Sequence, residues 1–144
     1  MYDIVITGEQ YEKIQRSIGT LPPETGGILG EKDGVVSRFY FDNHAERLAD
    51  GYSPNIEDLN YVISDWESKG VSFCGLIHSH PSGVRRLSYK DRRFAADILK
   101  ASGGKLTDLF FPIVQSTYDS GHFEIVPYVI KEQDVILATL QIIL

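Results

Sequence analysis

Apolar residues in this chain recur with two periods, and the switches between them mark out the elements. Residues 2–7 read as a strand, and residues 9–18 then place Tyr11, Ile14 and Ile18 at helical spacing. Residues 26–30 and 35–41 predict two strands joined at Lys32-Asp33-Gly34, because Asp-Gly supplies the left-handed backbone that a tight hairpin needs. Ser53-Pro54 opens a predicted helix that runs to Lys69 and stops at Gly70, with Ile56, Leu59, Val62, Ile63 and Trp66 as its buried stripe. Residues 71–80, with the apolar run Phe73 to Ile77 at their centre, have the length and composition of a central strand covered on both faces. A second capped helix is predicted over residues 88–101, closed by Ser102-Gly103-Gly104. Residues 109–115 and 122–128 complete the pattern as an antiparallel pair, while the tail beyond Ile130 fits either a strand or a helix. Interleaved helices and strands of this kind predict an α/β or α+β layered domain.

Composition adds limits. A chain of 144 residues with 42% apolar side chains holds one core, so residues 1–144 are expected to form a single domain. The net charge of −6 argues against nucleic-acid binding through a general basic surface. The one cysteine, Cys74, excludes an internal disulfide framework and suits a reducing compartment. The first residues lack the basic start and apolar core of a signal peptide, and no apolar run approaches the roughly 20 residues that span a bilayer. The expectation is a soluble cytoplasmic protein with no membrane partner.

The chemistry concentrates in His78-Ser79-His80-Pro81 and, six residues later, Ser88-Tyr89-Lys90-Asp91. Histidines at i and i+2 on a strand project to one face, so their imidazoles can converge on one ion. Pro81 cannot continue the ladder and places the pair at a strand mouth. Asp91 falls in the first turn of the following helix, from where its carboxylate can point back at that mouth. Two imidazole nitrogens and one carboxylate oxygen at about 2.0–2.2 Å make a zinc site with its fourth position open to water, the arrangement of catalytic rather than structural zinc. The competing reading of Ser88-x-x-Asp91 is a capping box that only starts a helix. For Glu24, it is a surface turn carboxylate after Pro22-Pro23.

These residues resemble the JAMM metalloproteases, also called JAB or MPN+ domains. The shared signature is His-x-His-Pro, six residues, Ser, two residues, Asp, with a Glu on an early strand upstream. Glu24, His78, His80, Pro81, Ser88 and Asp91 match it, and element order fits from about Tyr2 to Tyr128. The resemblance implies a mixed, partly curled β-sheet flanked by helices. It implies zinc on His78, His80 and Asp91, with Glu24 as the general base and Ser88 as a donor to the developing oxyanion. It also implies that Gly26-Gly27 permit close backbone approach. In the family such sites cleave peptide or isopeptide bonds after the C-terminal Gly-Gly of ubiquitin-like proteins. Small prokaryotic forms act on ubiquitin-like or sulfur-carrier proteins, often beside E1-like enzymes. The alternatives are a non-catalytic MPN scaffold and a RadC-like DNA-associated protein. The second needs a DNA-binding region for which this chain has no space.

Other reactive side chains read as ordinary. Cys74 shares a strand face with His78, yet lies about 13 Å away and is expected in the core. His44 and His122 read as loop or surface residues. Arg85, Arg86, Lys90, Arg92 and Arg93 form a basic cluster in an acidic chain, either a solvated face or a landing zone for an acidic partner.

Overall fold

The computed structural model describes residues 2–21, 24–43, 46–48, 51–81, 83–117, 122–132 and 134–144. Strand β1 (Asp3–Thr7) leads directly into helix α1 (Gly8–Arg16), whose first turn is capped by the Thr7 hydroxyl accepting the Gln10 amide at 3.3 Å. A 3₁₀ turn (Ile18–Thr20) finishes that segment. Strands β2 (Gly26–Lys32) and β3 (Val35–Phe41) form the predicted hairpin, with Asp33 and Gly34 at φ 55° and 78°. A small second sheet pairs β4 (Glu46–Leu48) with β5 (Gly51–Ser53). Helix α2 (Ile56–Ser68), strand β6 (Ser72–His80) and helix α3 (Tyr89–Ala101) follow.

The last third of the chain is all strand. It comprises β7 (Asp108–Phe110), β8 (Ile113–Thr117), β9 (His122–Val126), β10 (Tyr128–Lys131), β11 (Asp134–Leu137) and β12 (Thr139–Ile143). The antiparallel pair predicted here is in fact two pairs, β8 with β9 and β7 with β10. Pro112 and Pro127 divide them, since a proline has no N–H to give a ladder.

The main sheet is mixed and runs β11-β10-β7-β6-β2-β3-β1-β12, with β8 branching from β6 and carrying β9. Its two ends belong to one bent strand, because only Ala138 separates β11 from β12. The Ala138 amide donates to the Pro127 carbonyl and the Thr139 amide to the Tyr2 carbonyl, each at 2.9 Å. The ambiguous tail is therefore strand, and it curls the sheet by joining its two sides. One core, with Ile4, Ile6, Leu29, Ile77 and Val114, lies on the α1 side. The other packs Ile28, Leu76 and Leu109 against Leu59 and Trp66 of α2 and Ala95 of α3. This is the expected α/β layered architecture, a curled mixed sheet flanked by helices.

Three local expectations fail for identifiable reasons. Ser53 belongs to β5, and Asn55 caps α2 instead, accepting the Asp58 amide at 3.1 Å. Ile56, at the first helical position, faces solvent at 52% exposure and leaves the buried stripe to later residues. Cys74 does not share the face of His78. Leu29 pairs with Gly75 but Gly30 pairs with Phe73, so Cys74 is the extra residue of a bulge that breaks the alternation. It packs with Ile77 in the α1-side core, and burial pushes its thiol well above the ordinary value.

Candidate metal centre

The carboxyl end of β6 carries the candidate ligands because its neighbours pin it on both sides. His78 stands opposite Gly26 of β2 and Ile113 of β8. Close approach is built in: a methyl group on Gly27 would collide with the Tyr40 carbonyl, and one on Gly75 with the Phe110 carbonyl. His78 and His80 are buried and face α3, and the His78 ring packs edge-on against Phe111 with centroids 5.4 Å apart. Their Nε2 atoms lie 2.9 Å from each other. Asp91 completes the triangle, with Oδ2 at 3.0 Å from His80 Nε2 and Oδ1 at 3.2 Å from His78 Nε2.

Three donor atoms this close fit a shared ion. A tetrahedral ion bonded at about 2.0–2.1 Å separates its ligand atoms by roughly 3.3 Å. The observed edges are within a few tenths of an ångström of that. Each group brings one potential ligand atom to the same small volume, and two imidazoles with one carboxylate suit a divalent metal.

The capping box and the ligand set turn out to be the same structure. The Ser88 hydroxyl accepts the Asp91 amide at 3.0 Å, while Asp91 Oδ2 accepts the Ser88 amide at 2.9 Å and faces His80. The helix start thus fixes the orientation of a ligand carboxylate. Burial alone would raise the Asp91 carboxyl. Hydrogen bonds from His78 and His80, the His78 charge and the Ser88 amide outweigh it and hold Asp91 far below the ordinary carboxylate range. For His80, burial lowers the value, but the Asp91 hydrogen bond and charge, then Glu24 and the Val84 carbonyl, carry it above normal.

Glu24 lies in the bend before β2, with Oε1 at 3.8 Å from His80 Nε2 and its side chain 21% exposed. Glu24, His78, His80, Ser88 and Asp91 all border one cleft of about 400 Å³. Every candidate site residue is therefore brought to one place.

Two supporting residues were not singled out from sequence. Ser79, between the two histidines, must face the opposite way; its buried hydroxyl accepts the Thr25 amide at 3.0 Å, and its own amide donates to the Thr25 carbonyl at 2.8 Å. Glu24 is thereby tied to the strand of the histidines. Gln115 grips the loop after β6, donating to the carbonyls of Pro81 at 3.1 Å and Val84 at 2.8 Å and accepting the Gly83 amide at 2.9 Å. Ser79 sits inside the motif and could have been found by strand alternation. Gln115, 35 residues from His80, carries no sequence signal.

The basic cluster divides. Arg85 is ion-paired with Glu124, and its carbonyl accepts the Tyr128 hydroxyl at 2.8 Å. Lys90 and Arg93 line the cleft. His122 starts β9 rather than lying in a loop, and His44 lies outside the described residues.

The family of prokaryotic homologs of the JAB domain matches residues 10–128. The chain belongs to this family. Among solved structures, this JAB homolog is similar to a protein of Desulfitobacterium hafniense known from a solution structure. The two share 24% identity at a TM-score of 0.74, over 96% of this chain and 92% of the other. It is also similar to a JAB1/MPN domain protein from Archaeoglobus fulgidus, at 15% identity and a TM-score of 0.54, over 96% and 97% of the two chains. At these identities the likeness concerns the fold. No curated protein matches the chain. No helix among the described residues of this JAB homolog is long and apolar enough to cross a membrane.

Proposed function

We propose that this JAB homolog is a zinc-dependent peptidase or isopeptidase that cuts after the C-terminal Gly-Gly of a ubiquitin-like or sulfur-carrier protein. The observation that carries the reading is the convergence of His78 Nε2, His80 Nε2 and the Asp91 carboxylate, with Glu24 3.8 Å from His80 in the same cleft. A bound zinc ion would polarise the scissile carbonyl and acidify water. His78, His80 and Asp91 would hold it. Glu24 accepts a proton from the attacking water and passes it to the leaving amine. The Ser88 oxygen accepts the Asp91 amide, and its hydroxyl proton stays available as a donor to the carbonyl oxygen.

Glycines before the scissile bond suit a cleft walled by α3 and β6, because larger side chains would meet those walls. An E1-like enzyme that charges the same tail is a possible partner for this substrate class. The test is a panel of fusions ending in Gly-Gly, Ala-Ala or Val-Val, incubated with zinc-loaded protein and with Glu24→Gln. Gly-Gly fusions should be cut selectively, and Glu24→Gln should lose activity by about three powers of ten while keeping zinc. Equal cleavage across the panel removes the modifier substrate, and full turnover by Glu24→Gln removes the mechanism.

A further inference from the structure

Lys90, Arg93, Phe94 and Asp97 follow one another at i, i+3, i+4 and i+7 along α3, and all four border the cleft of the metal centre. Lys90 and Arg93 flank the ligand Asp91 within about one turn, whereas Asp97 lies roughly 10 Å further along the axis from Lys90. Neither base makes a hydrogen bond or ion pair with the described residues, whereas Lys13, Arg16, Lys69 and Arg85 form ion pairs. The cleft floor beside them is apolar, built from Leu76, Phe94 and Phe111. Both bases are themselves exposed, so the charge they attract is screened by salt as at an open surface. The amino end of the 13-residue helix adds partial positive charge at the same place.

We infer that the cleft selects ligands by a carboxylate, taken by Lys90 and Arg93 beside the metal centre. This rests on reading the site as a peptide hydrolase and names the chemical group that its substrate carries close to the scissile bond. A planar guanidinium matches a carboxylate in two parallel hydrogen bonds, and the neighbouring ammonium adds a point charge. A polyanion is a poor occupant, because the chain as a whole carries −6 and the cleft is only about 400 Å³. The carboxylate has two possible sources, the α-carboxylate of a C-terminal residue or an aspartate or glutamate side chain, and one experiment separates them.

Zinc-loaded Glu24→Gln protein, used so that ligands are not consumed, is titrated with four peptides by calorimetry. They are acetyl-Gly-Gly-Ala as free acid and as amide, and acetyl-Gly-Gly-Asp-amide with acetyl-Gly-Gly-Asn-amide. At least one acidic peptide should bind about tenfold or more tightly than its neutral partner, with the preference shrinking as salt rises. The pair that shows it identifies the source. Adding Lys90→Gln and Arg93→Gln should abolish the preference with zinc retained, and adding Arg93→Lys alone should preserve part of it. Equal affinities within both pairs, no binding of any peptide, or a preference that survives the double substitution overturns the inference. Wild-type cleavage of Gly-Gly fusions is measured alongside. Cleavage without carboxylate preference leaves the hydrolase reading standing, and carboxylate preference without cleavage removes that reading alone.

Discussion

Ser79→Ala should loosen the tie between the two halves of the site while leaving the ligands in place. Ser79 is 1% exposed and Thr25 4% exposed, so no solvent can replace what the hydroxyl does. The substitution removes the acceptor of the Thr25 amide at 3.0 Å and spares the backbone bond from Ser79 to the Thr25 carbonyl at 2.8 Å. A buried N–H left without a partner costs about 1–3 kcal/mol, and the missing oxygen opens a gap too small to add much. With a urea m-value of about 2 kcal/mol/M, the midpoint should fall by roughly 1 M at unchanged m. Thr25 amide exchange should quicken in step, since the same bond protects it. Glu24 precedes Thr25, so its carboxylate loses registry with the histidines. On a cleaved fusion, kcat should drop with KM and zinc content unchanged. A midpoint shift below about 0.2 M with wild-type Thr25 exchange and wild-type kcat would refute this reasoning.

Two further outcomes follow from packing and from titration. Gly75→Ala should destabilise by about 1–3 kcal/mol in a urea titration, because the new methyl meets the rigid Phe110 carbonyl of the neighbouring strand; a neutral effect would show that β6 and β7 can separate freely. The Tyr40 hydroxyl donates to Asp58 at 2.7 Å, and this bond, burial and the charges of Asp58 and Asp42 push its phenol up to about 12. A raised folded value means that its contribution is complete below about pH 10 and is lost as pH rises toward 12. Tyr40→Phe should therefore be less stable by about 1 kcal/mol at neutral pH, and the gap should close over that alkaline window. A gap independent of pH would contradict the assignment.

What could be read from sequence was local or tied to spacing. His78, His80 and Asp91 meet because strand alternation and a helix first turn dictate their directions, and both rules act over a few residues. The hairpin at Asp33-Gly34 was legible for the same reason. Features that depend on distant partners were not. Ala138 bends a strand between two sides of the sheet because Pro127 and Tyr2 offer carbonyls there, and nothing near Ala138 announces them. Cys74 changed faces through a bulge that only the pairing with Leu29 and Gly30 reveals. Gln115 holds the loop after β6 through contacts over 30 residues away in the chain. The basic cluster was visible, but not that Glu124 engages Arg85 and leaves Lys90 and Arg93 in the cleft.

If His78, His80 and Asp91 form a zinc site with Glu24 outside the ligand set, the amount of metal bound per chain must depend on the first three and not on the fourth. Purified protein and its variants are equilibrated with zinc against a competing chelator, and bound metal is measured per chain. Wild type and Glu24→Gln should each bind one zinc, and His78→Ala and Asp91→Ala should bind it at least about a hundredfold more weakly, since three protein ligands leave none to spare. Stoichiometric zinc at wild-type affinity in either ligand variant, or no zinc in the wild type, would contradict the ligand assignment.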